Sequence, residues 1–220
     1  MKYKIFWAVV VVFVIAAGGM SFFSYQQKQP LVYHESLMVP AVTVDERTLT
    51  MGDLAYYIAA EELEIEEQAK IYDLENTDKY WGMWLRQGGF IKIEAKEMVL
   101  DTAIHDEIFY QMAMDAGFTL GEEEQESLAM RQYDFWSDLT EEQQERLGVE
   151  KQELMDRMEQ IAIAQQYQFV YGMEHSIVAE DYAVDGEKYQ ELLEEHSVKV
   201  NRSDWNRIPF GEVVLGSKES

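Results

Sequence analysis

A run of 19 residues without charge, residues 5–23, constrains this 220-residue chain more than any other feature. A helix rises about 1.5 Å per residue, so this run would be about 28 Å long, enough to cross the hydrocarbon core of a bilayer. Lys2 and Lys4 precede the run, and the positive-inside rule then places the N-terminus in the cytoplasm. We therefore predict a single-pass transmembrane signal-anchor at residues 1–25. The rest of the chain would lie on the extracytoplasmic side of the cell membrane.

A cleavable signal peptide is the competing interpretation of the same segment. Ala16, Ala17 and Gly18 are small residues at positions where a signal peptidase could cut. The apolar run continues past them through Met20 to Phe23, which favours an uncleaved anchor. Both interpretations export the rest of the chain, so the predicted compartment does not depend on the choice.

The remainder of the chain is strongly acidic and contains no cysteine. The 42 acidic and 18 basic residues give a formal net charge of −24. Such a surface repels nucleic-acid phosphates, so we expect no nucleic-acid partner. The absence of cysteine excludes a disulfide framework, thiol catalysis and thiolate metal ligands. No motif indicates a cofactor.

Hydrophobic periodicity predicts one mainly helical domain. Residues 26–40 contain two of the three prolines and are predicted to be a linker, which leaves residues 41–220 as the extracytoplasmic domain. Along residues 91–116, apolar side chains recur alternately four and three positions apart, which is typical of a helix with a broad buried face. Further helices are predicted at residues 54–70, 78–84, 122–139, 141–147, 150–173 and 187–196. Short extended pieces are predicted at residues 41–44, at 198–200 and at 212–215. Another is predicted between the turn after Val44 and Thr50. The expected fold is therefore mainly α, a multi-helix bundle with a few short strands near its ends.

Three helices carry the same kind of start signal. Thr50, Thr119 and Thr140 each precede, by three positions, an acidic or amide residue, as in a capping box. Gly117 and Gly148 stand where a left-handed residue commonly ends a helix. The helices that follow the three threonines do not match one another. The recurring box is therefore local helix chemistry rather than a tandem repeat.

The order of these elements resembles the N-terminal chaperone module of the exported SurA- and PrsA-type foldases. In that family a long helix ends in Ala-x-x-x-Gly, followed by one or two apolar residues and a Ser or Thr that caps an acidic helix start. Ala113, Gly117, Phe118, Thr119 and residues 122–124 occupy this pattern. The sequence VTVDERTLTMGDLAYYI likewise resembles the family's entry strand, turn and first helix. The resemblance covers about residues 41–196.

The resemblance implies a chaperone-like holdase that binds unfolded or exported polypeptides. Family members carry a parvulin-type prolyl isomerase domain, whereas 24 residues follow His196 here, too few for a second core. We therefore expect the chaperone part without isomerase activity. An envelope scaffold or assembly factor with one dedicated protein partner is the alternative. A third hypothesis is an enzyme whose site is assembled from distant residues.

The predicted polypeptide-binding surface is an aromatic cluster at Tyr80, Trp81, Met83 and Trp84. Adaptable methionine and aromatic side chains suit a surface that accepts many different clients. The competing interpretation is that these side chains fill the interior of the bundle.

No catalytic or metal-binding signature accompanies the helices. None of the four histidines lies in an H-E-x-x-H or Glu-x-x-His motif. His105 falls on the apolar stripe of the longest helix and is interpreted as a hydrogen-bonded core residue. We therefore expect no metal and no catalytic residue.

Overall fold

The computed structural model describes residues 29–85 and 88–216. The predicted anchor at residues 1–25 lies outside these residues. Within the two described ranges, no helix combines the length and hydropathy needed to cross a membrane.

The described residues form a mainly helical domain with one small sheet, which confirms the predicted fold class at that level. Its strands and helices, in chain order, are β1 (Pro40–Val44), β2 (Arg47–Thr50), α1 (Ala55–Tyr72), α2 (Asp78–Trp81), α3 (Ile91–Asp115), α4 (Glu122–Asp138), α5 (Glu141–Leu147), α6 (Lys151–Glu174), α7 (Glu187–Leu193), β3 (Val198–Val200) and α8 (Arg202–Trp205). Single 3-10 turns occur at Tyr33–Glu35, Gly52–Leu54 and Ala179–Tyr182.

The sheet joins the two ends of the domain. Its order is β2-β1-β3, and both pairs are antiparallel, with Val42 opposite Leu49 on one side and Val200 on the other. Asp45 occupies the turn of the β1–β2 hairpin with a φ of 53°, and its carboxylate accepts the N–H of Ser197 at 2.8 Å. These contacts hold β3 and the residue before it against β1 and the hairpin turn.

Part of the predicted linker packs against the domain. Tyr33 is 4% exposed, and its hydroxyl donates to the carbonyl of Met51 at 2.6 Å. The N–H of Leu31 donates to the carbonyl of Arg207 at 2.9 Å, and Pro40 already belongs to β1. The folded region therefore begins by about residue 29.

Two long helices supply much of the core. α3 packs extensively against α6, as the periodicity of both segments predicts. From α3, Leu100, Ile108 and Phe109 are fully buried, and Leu154 of α6 is 2% exposed. α3 ends as predicted, with Gly117 at a φ of 66° and the N–H of Phe118 donating to the carbonyl of Ala113.

The predicted helix starts have three different outcomes. The capping box at Thr140 is complete and starts α5. Thr50 and Asp53 exchange the expected hydrogen bonds, but Thr50 precedes the 3-10 turn at Gly52–Leu54, in which Asp53 lies, rather than α1 directly. The predicted cap at Thr119 is wrong, because Gly121 is the N-cap of α4. The chain is extended at Gly121 and Leu120 is buried, so Thr119 lies too early to cap this helix.

The predicted extended piece at residues 212–215 is also wrong. This segment forms turns. The backbone N–H groups of Gly211, Val213 and Val214 donate to the carboxylate of Glu62 instead of to a neighbouring strand. Trp84 lies outside α2, which ends at Trp81, and α7 ends at Leu193 rather than at His196.

Candidate functional surfaces

The structure separates the four residues of the predicted aromatic cluster. Trp81 is 7% exposed, and its indole N–H donates to Glu66 at 2.9 Å, so this residue is part of the core. Tyr80 and Met83 are half-buried. Trp84 is 61% exposed. Polypeptide binding by these residues stays a prediction, and Trp84 is the member best placed to contact another molecule.

Trp84 belongs to a short hairpin that leads into α3. Trp84 and Phe90 form an antiparallel bridge, and their rings meet edge to face at 4.9 Å. The N–H of Leu85 donates to the carbonyl of Gly89 at 2.7 Å. Together with Ile93, these side chains leave a large apolar area in contact with solvent. We call the four residues Trp84, Leu85, Phe90 and Ile93 the hairpin surface.

An open cleft of 460 Å³ adjoins the hairpin surface. Phe90 and Ile93 form one wall, and Gly211 and Glu212 of the C-terminal segment form another. Trp81 lies between them, and its ring packs against Phe210 at 6.2 Å. The C-terminal segment therefore borders the hairpin surface.

A second exposed apolar area lies at the end of α6. Residues 160–173 form a run of fourteen without any charged side chain, although 27% of the whole chain is charged. Phe169 is 50% exposed and Met173 is 64% exposed, and their spacing of four places them on one face of the helix. Met114 at the end of α3 and Val178 after α6 are also exposed. We call Met114, Phe169, Met173 and Val178 the α6 surface.

Aromatic contacts join the end of α3 to the end of α6. Tyr167 contacts Phe118 at 5.4 Å, and Tyr171 contacts Phe109 at 6.3 Å and Tyr182 at 5.3 Å. Such ring pairs add stability beyond the area they bury. The end of α3 is thereby held beside the end of α6, which brings Met114 to the same end of the domain as Met173.

The hairpin surface and the α6 surface lie near opposite ends of α3. Ile93 stands in the first turn of this helix and Met114 in the last. At about 1.5 Å per residue, the helix separates them by about 32 Å. One ligand segment of a few residues therefore cannot cover both surfaces, and each needs its own explanation.

A buried carboxylate organises the C-terminal segment. Glu62 of α1 is fully buried and accepts hydrogen bonds from the N–H groups of Gly211 at 2.6 Å, Val213 at 3.2 Å and Val214 at 2.9 Å. Burial raises the pKa of Glu62 to about 7, although the backbone N–H groups act in the opposite direction. Residues 212–215 form turns around this carboxylate.

The raised pKa of Glu62 predicts a pH-dependent stability. Between its ordinary value of 4.5 and about 7, the folded protein holds a proton on Glu62 that the unfolded chain has lost. The free energy of unfolding should therefore fall as pH rises through this window, by about 3 kcal/mol from this group. Urea unfolding at pH 5 and pH 8 measures the change. Glu62→Gln should remove this part of the pH dependence, and an unchanged pH dependence in that variant would contradict the assignment.

A second buried charged group joins the sheet to the long helices. The guanidinium of Arg157 donates to Asp53 at 2.5 Å and lies 3.7 Å from the Glu107 carboxylate. Burial raises the pKa of Glu107, while Arg47 at 3.1 Å acts in the opposite direction. Burial alone would also raise the pKa of Asp53, but the N–H of Thr50 and Arg157 hold it below its usual value. The compensation is partial, because Glu107 Oε2 and Arg157 Nε are buried without a hydrogen-bond partner among the described residues.

His105 is a hydrogen-bonded core residue, as interpreted from its place on the apolar stripe. It is 5% exposed, and its Nε2 lies 2.8 Å from the carbonyl oxygen of Tyr182. Because that carbonyl can only accept, Nε2 carries a proton. Its Nδ1 lies 2.9 Å from Asp106, whose other oxygen accepts from the Tyr57 hydroxyl at 3.1 Å. The chain of contacts fastens the turn at Ala179–Tyr182 to α3.

The described part of the chain places no group of three or more His, Cys, Asp or Glu side chains so that they could hold a metal ion. The chain matches no protein-family model, no curated protein and no solved structure.

Proposed function

We propose that this protein is a membrane-anchored, extracytoplasmic, chaperone-like module that binds apolar segments of unfolded or exported polypeptides. The observation that carries the proposal is the α6 surface, which exposes large apolar side chains on a helix face without charge. The proposed activity needs no catalytic group and no cofactor.

The composition of the α6 surface suits weak binding to varied sequences. Met114 and Met173 have unbranched, polarizable side chains that can repack around different partners. Phe169 adds a rigid apolar contact. Transfer of such side chains from water contributes about 25 cal/mol for each Å² buried, independently of the sequence that covers them.

The acidic exterior supports the same function. With a net charge of −24, copies of the protein repel one another, so exposed apolar side chains cause less self-association. The same charge attracts basic segments of a client toward the domain. A strongly acidic protein with a local uncharged face can therefore stay soluble while it binds apolar chains.

The proposal predicts that the purified full-length protein suppresses aggregation of an unfolded client. Replacing both Phe169 and Met173 by serine should weaken client binding about thirtyfold, because each truncation of a central contact costs about 1 kcal/mol. The Kd for a fluorescent, permanently unfolded client measures the effect.

The matched control replaces two equally exposed side chains on another helix. Met130 and Tyr133 of α4 are 63% and 68% exposed, and serine at both positions should leave the Kd unchanged. Equal loss in the two double variants would contradict a specific role for the α6 surface. Trp84→Ser in the same assay tests the aromatic cluster predicted from the sequence.

Crosslinking in cells from position 173 distinguishes the holdase from the assembly factor. A photoreactive residue there should capture many clients. Capture of one partner in fixed stoichiometry would instead indicate a dedicated scaffold.

A further inference from the structure

We propose that the hairpin surface docks on the lipid bilayer and so holds the domain in a fixed orientation against the membrane. This inference goes beyond polypeptide binding, and it assigns the hairpin surface and the α6 surface to different partners. It uses the predicted anchor as the tether.

The chain enters the folded domain beside the hairpin end. The carbonyl of Gln29 accepts from the Arg207 side chain at 2.8 Å, and Leu31 pairs with the backbone of Arg207. The carbonyl of the next residue, Ile208, accepts a hydrogen bond at 3.0 Å from the side chain of Lys96, which lies in the second turn of α3. The first described residues are therefore fastened beside the N-terminal part of α3, where the hairpin surface lies.

The predicted anchor leaves little chain between the bilayer and this end. From Tyr25 to Gln29 the backbone can span at most about 14 Å. The end of the domain that carries the hairpin surface is therefore the end nearest the membrane. The α6 surface lies at the other end of α3, where it would face away from the bilayer.

The hairpin has the composition of a membrane-interface element. Trp84 and Phe90 are 61% and 43% exposed, and Leu85 and Ile93 flank them. Tryptophan and other aromatic side chains favour the boundary between headgroups and hydrocarbon. Ile71, Tyr72 and Leu74, at and just after the end of α1, are exposed too, and Tyr72 contacts Tyr80 at 5.8 Å.

The local charge also favours a lipid surface over a basic polypeptide. Residues 79–93 contain three basic residues and no acidic one, in a chain with 42 acidic residues. Lys79 and Lys92 form exposed pairs with Asp73 and Glu212, at 2.6 and 3.2 Å. Exposed pairs of this kind are worth about 0–1 kcal/mol, so lipid phosphates can replace the carboxylates. An anionic membrane repels the strongly acidic remainder of the domain. This repulsion turns the end that carries the hairpin surface toward the membrane.

The test uses the full-length chain reconstituted in vesicles of phosphatidylglycerol and phosphatidylcholine. The native chain has no cysteine, so a single cysteine carries a single fluorescent label. One probe is placed by Leu85→Cys in the hairpin surface and the other by Val178→Cys in the α6 surface. Nitroxide-labelled lipid quenches a probe in proportion to its contact with the bilayer.

The hairpin probe should be quenched about threefold more strongly than the α6 probe, because interfacial side chains insert to the depth of the upper acyl chains. Adding Trp84→Ser and Phe90→Ser to the Leu85→Cys protein should reduce quenching to the level of the α6 probe. Equal quenching of the two original probes would overturn the proposal. So would a hairpin probe that responds to an unfolded polypeptide but not to labelled lipid. Neither of these fluorescence results depends on whether the α6 surface binds clients.

Discussion

Replacing Glu62 by alanine should lower the free energy of unfolding at pH 7 by about 3 kcal/mol. The substitution removes the common acceptor of the Gly211, Val213 and Val214 N–H groups and leaves them without their partner in a buried site. Each such loss costs about 1–3 kcal/mol, and the sum is partly offset because a carboxylate no longer has to be ionised in the core. Chemical unfolding followed by circular dichroism measures the change.

The destabilisation caused by Glu62→Ala should be greatest in the C-terminal segment. Hydrogen exchange of the three N–H groups should accelerate in Glu62→Ala before the rest of the domain unfolds, because the C-terminal segment loses its attachment to α1. Glu64→Ala is the matched control, since Glu64 lies on the same helix but is exposed and bonded to Gln68. An effect of Glu64→Ala as large as that of Glu62→Ala would show that helix charge, rather than the buried contact, sets the stability.

Replacing Arg157 by methionine should lower the free energy of unfolding by about 4 kcal/mol. Methionine preserves much of the side-chain volume but removes the positive charge between Asp53 and Glu107. The Glu107 side chain is 1% exposed, so its carboxylate would remain buried with less compensation. Thermal and urea unfolding of the two proteins measure the loss.

The loss in Arg157→Met should become smaller in acid, because a protonated Glu107 no longer needs a counter-charge. Adding Glu107→Gln should recover part of the stability at pH 7 for the same reason. The matched control is Arg146→Met, whose partner Glu142 is exposed, and which should cost less than about 1 kcal/mol. Equal costs for Arg157 and Arg146 would contradict the burial argument.

Helix position was predictable because its signals are local. The apolar spacing along residues 91–116 and 150–173 predicted α3 and α6 to within one or two residues. Thr140 and Gly148 predicted both ends of α5, since capping depends on residues three or four positions apart. At Thr119 the local pattern was misleading, because the chain is still extended at Gly121, which is the N-cap of α4.

The surfaces were much less predictable than the helices. Trp81 and Trp84 are three positions apart in an acid-free segment, and nothing local distinguishes them. Packing against Phe210 and a hydrogen bond to Glu66 bury Trp81, while Trp84 remains on the hairpin. The α6 surface was missed, although its fourteen uncharged residues were a visible signal. Such a run also fits a buried helix, and only the packing shows that Phe169 and Met173 face outward.

The sequence by itself determined the mainly helical class, the ends of most helices and an acidic composition after a 19-residue uncharged run. Those properties follow from short-range spacing and from composition. The tertiary structure decided which aromatic side chains are exposed and how the C-terminal segment folds. Both outcomes depend on pairs far apart in sequence, such as Glu62 and Gly211, which are separated by 149 positions. Such a contact forms and stabilises the protein only after the helices have packed, so no local sequence pattern predicts it.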